Sequence, residues 1–222
     1  MMKRVVLFCL ATALSASAFS YSCFYGASTG SKTLSICQFI YGDTTGFVGS
    51  DLLLGYGITD KFDVTSTISI NNIGPVTWAV MPRMEIVKGL LGAVRFSDSY
   101  LSPQMHGVWD ITTLFTLQAN AAVQLTYDYM ARPAVYGVVC PILKIPRTPI
   151  DVSCDVVPVY TAQDQDVVLG FLRDRGFSLD VVPSVGLSIG TCLFSLAAPI
   201  ANVNRHPVPS FGAWWLFILS GK

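Results

Sequence analysis

The sequence predicts an all-β fold: an antiparallel up-and-down transmembrane β-barrel of about 12 strands, with 10–14 possible. Three observations lead to this fold class: alternation of polar and apolar residues, a low content of charge, and an export signal at the start of the chain. Charged residues make up 13% of the 222 residues and apolar residues 52%, whereas about a quarter of a typical soluble domain is charged. A chain with so little charge suits a protein whose outer surface contacts lipid.

The clearest alternation lies in a hairpin around Thr59-Asp60-Lys61. In its second strand one side carries Phe62, Val64, Ile68 and Ile70, with Ser66 among them, and the other carries Asp63, Thr65, Thr67, Ser69 and Asn71. A strand places successive side chains on opposite faces. The pattern therefore indicates a sheet with one polar and one apolar face, as in a barrel with a polar lumen and a lipid-facing exterior.

The first residues are typical of a secretion signal peptide. Lys3 and Arg4 form a basic start, an apolar segment follows to Leu14, and a small-residue cleavage pattern ends at Ala18. The apolar segment is too short for a normal membrane span. We therefore expect two parts, a signal peptide at residues 1–18 and one barrel domain at residues 19–222.

Alternation along the rest of the chain predicts the other strands. The predicted strands are 33–41, 46–58, 62–72, 76–87, 90–97, 105–117, 121–130, 133–143, 150–160, 177–189, 191–201 and 209–220. The uncharged stretch from Val181 to Asn204 is long enough to cross a bilayer as a helix. Its Pro183 and Pro199 and its alternation favour two strands instead.

The predicted connections fall into two groups. Short periplasmic turns are expected at Thr59–Lys61, Val87–Gly89, Leu117–Asn120, Lys144–Pro149 and Gly190–Thr191. Longer outer connections are expected at Ser97–Gln104, Thr161–Gly176 and Asn202–Val208. Short turns at one end and longer loops at the other are typical of outer-membrane barrels.

Two segments resemble known outer-membrane proteins. Gly55-Tyr56-Gly57-Ile58-Thr59-Asp60-Lys61-Phe62-Asp63-Val64 resembles the recurring hairpin of bacterial outer-membrane β-barrels, including small transporter-like barrels of the meta-pathway phenol-degradation type. The segment Leu179–Gly186 with its following hairpin is similar to a later part of such barrels. The resemblance implies an integral barrel in the outer membrane of a Gram-negative-type bacterium. The aromatic-rich last strand, Phe211–Leu219, resembles a signal for the outer-membrane assembly machinery, although the chain ends Ser220-Gly221-Lys222.

Charged residues within the predicted strands are expected to face the lumen, because Arg or Lys facing lipid near the midplane costs about 2–4 kcal/mol. The candidate lumen-lining residues are Asp63, Arg83, Glu85, Arg95, Asp128, Asp151, Asp155 and Asp180. A pore lined by more acid than base favours cations. The alternative is a packed interior in which Arg83 and Arg95 pair with carboxylates.

These features favour a passive channel for small polar solutes whose identity the sequence does not give. Two alternatives remain, a structural or adhesive barrel without transport and a soluble exported β-sandwich. We expect no enzyme activity, cofactor or metal site, and place His106 and His206 in outer loops. The 14 basic and 14 acidic residues balance, so no nucleic-acid partner is expected. The expected partners are outer-membrane lipid and the assembly machinery.

The cysteines suggest a candidate disulfide. Cys140 and Cys154 are placed symmetrically about Arg147, in the turn Lys144–Pro149. In a hairpin centred on Arg147 they would lie opposite each other on neighbouring strands. The alternative is that both are buried thiols acting as small apolar residues.

Overall fold

The computed structural model describes residues 29–43, 46–71, 76–127, 133–164, 166–168, 171–189, 192–197 and 210–220. The predicted signal peptide and Asp128 lie outside these residues. Within them, no helix has the length and hydropathy needed to cross a membrane. The strands are β1 (Thr33–Asp43), β2 (Gly46–Gly57), β3 (Phe62–Asn71), β4 (Thr77–Val87), β5 (Leu90–Ser97), β6 (Tyr100–Asp110), β7 (Phe115–Thr126), β8 (Ala134–Lys144), β9 (Ile150–Thr161), β10 (Asp166–Val168), β11 (Phe171–Arg173), β12 (Gly176–Ile189), β13 (Cys192–Ala197) and β14 (Ser210–Ser220).

In the described part of the chain, twelve of these strands form one closed antiparallel barrel. Neighbours in the barrel are neighbours in sequence, except that β9 pairs with β12 around the small hairpin β10–β11, and β14 pairs with β1 to close the sheet. The predicted up-and-down barrel is confirmed. A single sheet closed on itself takes the place of the two facing sheets that a β-sandwich would need.

Most predicted strands agree with the structure to within a few residues, but β6 and β7 begin about five residues before the predicted strands 105–117 and 121–130. The turn between them is Ile111–Leu114, not Leu117–Asn120. Thr112 holds this turn, because its Oγ1 accepts hydrogen bonds from the backbone N–H groups of Leu114 (3.2 Å) and Phe115 (3.0 Å). The predicted long outer connection Ser97–Gln104 is also wrong, since only Asp98 and Ser99 separate β5 from β6.

The two faces of the barrel differ sharply in chemistry. On β7, β8, β9 and β12 every outward-facing position is an apolar residue, a glycine or Cys154. Large exposed side chains of the outer face include Ile68, Trp78, Val135, Leu143, Leu179 and Leu196. The inner face carries most of the buried polar and charged side chains. This is the arrangement that the alternation predicted.

The candidate disulfide between Cys140 and Cys154 is wrong. In the β8–β9 register Val139 lies opposite Val156 and Ile142 opposite Ser153. The hairpin is therefore shifted by one residue from a centre at Arg147. A shift of one residue moves side chains to the opposite face of the sheet. Cys140 is accordingly buried on the inner face, Cys154 points outward, and both keep their thiols.

This register predicts which engineered cysteines will link. With Cys140 and Cys154 replaced by serine, the pair Ile142→Cys and Ser153→Cys should form a disulfide under oxidising conditions, because opposed residues have Cα atoms about 4.5–5.5 Å apart. The matched control, Ile142→Cys with Val152→Cys, should stay unlinked, since its side chains lie on opposite faces. Non-reducing peptide mapping distinguishes the two. Preferential linkage of the control pair would contradict the register.

Candidate functional site: the inner wall of the barrel

An ion pair links β3 and β4 on the inner wall. Asp63 and Arg83 lie opposite each other in the register and are 1% and 3% exposed. The Arg83 guanidinium donates from Nε to Asp63 Oδ1 and from Nη2 to Oδ2, both at 2.7 Å. Two parallel hydrogen bonds between guanidinium and carboxylate form a strong, geometrically specific pair. The pair therefore fixes both side chains against the wall near the end of the barrel that holds the β2–β3 turn.

The residues before β1 cross the inner side of this same end. The backbone N–H of Thr29 donates to Asp63 Oδ2 at 2.6 Å, and that of Lys32 donates to the Gly57 carbonyl oxygen at 2.8 Å. A Cβ on Gly57 would collide with the carbonyl oxygen of Gly30. Glycine at position 57 thus allows the two backbones to touch. We call residues 29–32 the N-terminal strap; Asp63 binds it to the wall.

The other two predicted residues of β4 and β5 have different roles. Glu85 is half-buried, and its Oε1 accepts a hydrogen bond of 3.4 Å from the Gly89 backbone N–H, so it stabilises the β4–β5 turn. Arg95 is also half-buried. Its Cζ atom lies 6.0 Å from the centre of the Tyr100 ring, at the outer limit of a cation–π contact.

The predicted carboxylates of β9 and β12 are buried on the inner wall. Asp151, Asp155 and Asp180 are all less than 5% exposed. Val182 is the register neighbour of Asp155, and Val157 that of Asp180, so the two carboxylates stand diagonally on adjacent strands. The Asp151 side chain lies against the backbone of Gly186. The structure therefore brings these acidic residues to one side of the barrel, several strands away from Arg83.

A polar wall on β6 and β7 was missed by the sequence analysis. Its buried side chains are Ser102, Gln104 and His106 on β6, and Thr116, Gln118, Asn120 and Gln124 on β7. His106 is in the strand rather than in an outer loop as predicted, and its Nδ1 is 2.9 Å from Asn120 Nδ2. The signal was present as amides and hydroxyls at alternate positions from 116 to 120, but the misplaced turn concealed it.

The inner wall also contains an apolar region on β7, β8 and β9. Its members are Ala122, Ala134, Tyr136, Val138, Cys140, Ile142, Val157 and Val159. Tyr136 joins it to the polar wall, because the Gln104 amide nitrogen lies 3.4 Å from the Tyr136 hydroxyl oxygen. The apolar region is hard to recognise in the sequence, since both faces of β8 are apolar and alternation disappears.

Comparison with known proteins depends on the fold alone. No protein-family model matches this sequence, and no curated protein matches it either. Among solved structures, the KdgM porin superposes with a TM-score of 0.55 at 9% identity, covering 82% of this chain and 98% of that porin. This chain and that porin share one barrel fold. The NanC porin superposes with a TM-score of 0.50 at 8% identity, covering 85% of this chain and 100% of that porin.

These porin barrels match this chain over most of its length, so the likeness concerns the whole fold and not one hairpin. An identity below 10% carries no information about which solute a porin barrel admits. The finer resemblance to barrels of the meta-pathway phenol-degradation type has no counterpart in these comparisons and stays a prediction.

Proposed function

We propose that this chain is an integral barrel of the outer membrane of a Gram-negative-type bacterium and acts as a passive channel for small polar solutes. The observation that carries the proposal is the opposite chemistry of the two faces of one closed sheet. Apolar side chains cover the outside, while charged, amide and hydroxyl side chains are concentrated inside. A soluble protein would gain nothing from that inversion, whereas a barrel in lipid requires it.

Aromatic residues support the orientation in a membrane. Exposed Trp78, Tyr160 and Phe177 lie at the end of the barrel that carries the outer connections, and exposed Tyr56 and Trp109 lie at the other end. Tryptophan and tyrosine concentrate at both interfaces of a membrane because their rings are apolar with a polar edge. Outer-membrane lipid is therefore the first partner in this proposal, and the assembly machinery the second.

The charges of the inner wall support a preference for cations. The positive charge of Arg83 is offset by Asp63 in the same ion pair. Asp155 and Asp180, on the other side, have valines as register neighbours. The candidate lumen-lining residues Asp63, Glu85, Asp151, Asp155 and Asp180 outnumber Arg83 and Arg95, and an excess of acidic groups raises the local concentration of cations in a narrow passage.

Planar-bilayer measurements on the refolded protein test the proposal. We expect ion conductance and, under a salt gradient, a reversal potential with the sign of a cation-selective pore. Asp155→Asn together with Asp180→Asn should move the reversal potential toward zero, because the amides keep the shape and remove the charge. The control Asp98→Asn, exposed in the outer β5–β6 turn, should have a smaller effect. A refolded barrel that conducts no ions would contradict the proposal.

A structural barrel without transport is the second candidate, and the burial of the inner wall favours it. Ile142, Val138 and Asp180 are fully buried although they face inward. An interior filled by side chains would support such a barrel. Absent conductance from a correctly folded protein would favour this candidate.

A further inference from the structure

Three neighbouring side chains of the polar wall form what we call the histidine–amide cluster: His106 on β6, and Gln118 and Asn120 on β7. They are 2%, 2% and 4% exposed, and all belong to the inner face. His106 lies opposite Asn120 in the register, and Gln118 is the next inward residue on the same strand. The cluster is therefore one continuous part of the wall.

The hydrogen bond within the cluster fixes the tautomer of His106. The Asn120 side-chain nitrogen, 2.9 Å from His106 Nδ1, carries only donor hydrogens. Nδ1 must accept, so the proton of the neutral ring resides on Nε2. The Nε2–H is then a hydrogen-bond donor that no residue of β7 accepts.

Each member of the cluster has a polar atom without a hydrogen-bond partner among the described residues. These atoms are the His106 Nε2, the Asn120 Oδ1 and the Gln118 Oε1. Buried polar groups in proteins are nearly always hydrogen-bonded, and an unpartnered one is unfavourable. Three such atoms on one wall, one donor and two acceptors, indicate a site prepared for a bound molecule.

The chemistry of these atoms selects the class of ligand. A carboxylate offers only acceptors and would meet two carbonyl oxygens, while an ammonium offers only donors and would meet the Nε2–H. A hydroxyl both donates and accepts. We propose that the histidine–amide cluster is a binding site for neutral polyhydroxylated solutes that pass through the barrel. This proposal rests on the proposed channel function.

The register neighbours of the cluster fit a neutral ligand, while Arg83 and Arg95 act on His106 electrostatically from further along the inner wall; the charge of Arg83 is offset by Asp63. The register neighbours of its three members on the adjoining strands are Leu91, Val138 and Cys140, none of which is charged at neutral pH. Val138 and Cys140 belong to the apolar region of the wall. A polyol could place its hydroxyls on the cluster and its carbon skeleton on this apolar surface.

Histidine NMR tests the site directly. The chain has 2 histidines, so the His206→Gln variant leaves His106 as the sole imidazole signal. Nitrogen shifts of the refolded protein in detergent should show protonated Nε2. Titration with mannitol should change these shifts in a saturable way, and triethylene glycol, whose oxygens are mostly ethers, should not. No response to mannitol, or equal responses to both, would overturn the proposal.

Flux measurements separate this proposal from the channel function. Mannitol entry into proteoliposomes should saturate with the wild type and become linear with Asn120→Leu or Gln118→Leu, while Thr65→Val, on the inner face of β3, keeps saturation. Ion conductance with no effect of mannitol on His106 would overturn the site alone. Saturable binding to His106 in a barrel that does not conduct would overturn the channel function alone.

Discussion

Replacing Asp63 by alanine should lower the free energy of unfolding of the barrel by about 3–5 kcal/mol, the usual cost of removing one partner from a buried ion pair. Arg83 loses two hydrogen bonds of 2.7 Å in a position that is 3% exposed. The Thr29 backbone N–H loses its acceptor at the same time. Equilibrium unfolding of the refolded protein in guanidinium, followed by tryptophan fluorescence, measures the change.

Two controls isolate the ion pair as the cause. Asp98→Ala removes an exposed carboxylate from the outer turn and should change stability by no more than about 0.5 kcal/mol. Asp63→Leu combined with Arg83→Met removes both charges and should recover most of the loss, because apolar replacements of a buried pair are often neutral. If Asp63→Ala cost no more than Asp98→Ala, the ion pair would not stabilise the wall.

Replacing Ile68 by lysine should make folding into lipid less favourable by about 2–4 kcal/mol, because the side chain lies on the outer face near the middle of β3. Ile68 is 40% exposed and pairs with Trp78 on β4. A lysine there would place its charge in hydrocarbon. The yield of assembled barrel, measured as the fraction whose electrophoretic migration changes on boiling, should fall.

The neighbouring residue is the matched control. Thr67 is 9% exposed and faces inward, so Thr67→Lys should assemble much better than Ile68→Lys and shift selectivity toward anions. The two changes introduce the same side chain one position apart in the same strand. Equal losses of assembly would mean that the assignment of inner and outer faces is wrong.

Alternation of polar and apolar residues predicted the strands correctly in regions where one face of the sheet is polar. The hairpin at Asp60 and the strand from residue 62 were predictable because Asp63, Thr65 and Thr67 differ clearly from their neighbours. The strand in the folded barrel follows that pattern directly. The same alternation led us to expect Asp63, Arg83, Asp151, Asp155 and Asp180 on the inner face, and each of these side chains is buried in the structure.

Sequence patterns failed where polarity does not distinguish the faces. The turn at Ile111–Leu114 contains two apolar residues and neither glycine nor proline, so the sequence does not mark it as a turn. The Thr112 hydroxyl holds it instead. Because the turn was predicted at Leu117–Asn120 instead, His106 and Asn120, the centre of the candidate binding site, were not recognised as neighbours on paired strands. Symmetry about Arg147 likewise suggested the wrong partner for Cys140, because the register of a hairpin is set by its turn geometry and not by its midpoint.

The seam between β1 and β14 has a consequence for the order in which the barrel is made. These strands pair from Thr33 with Ser220 to Asp43 with Ser210, so the sheet closes only when almost the whole chain is present. The entropy of closing a loop grows slowly with its length, but long-range pairing delays folding. Until β14 arrives, β1 presents an open edge that any other strand can occupy. A chain shortened before Ser210 would leave two such edges, at β1 and β13, and would associate with other copies instead of closing into a smaller cylinder.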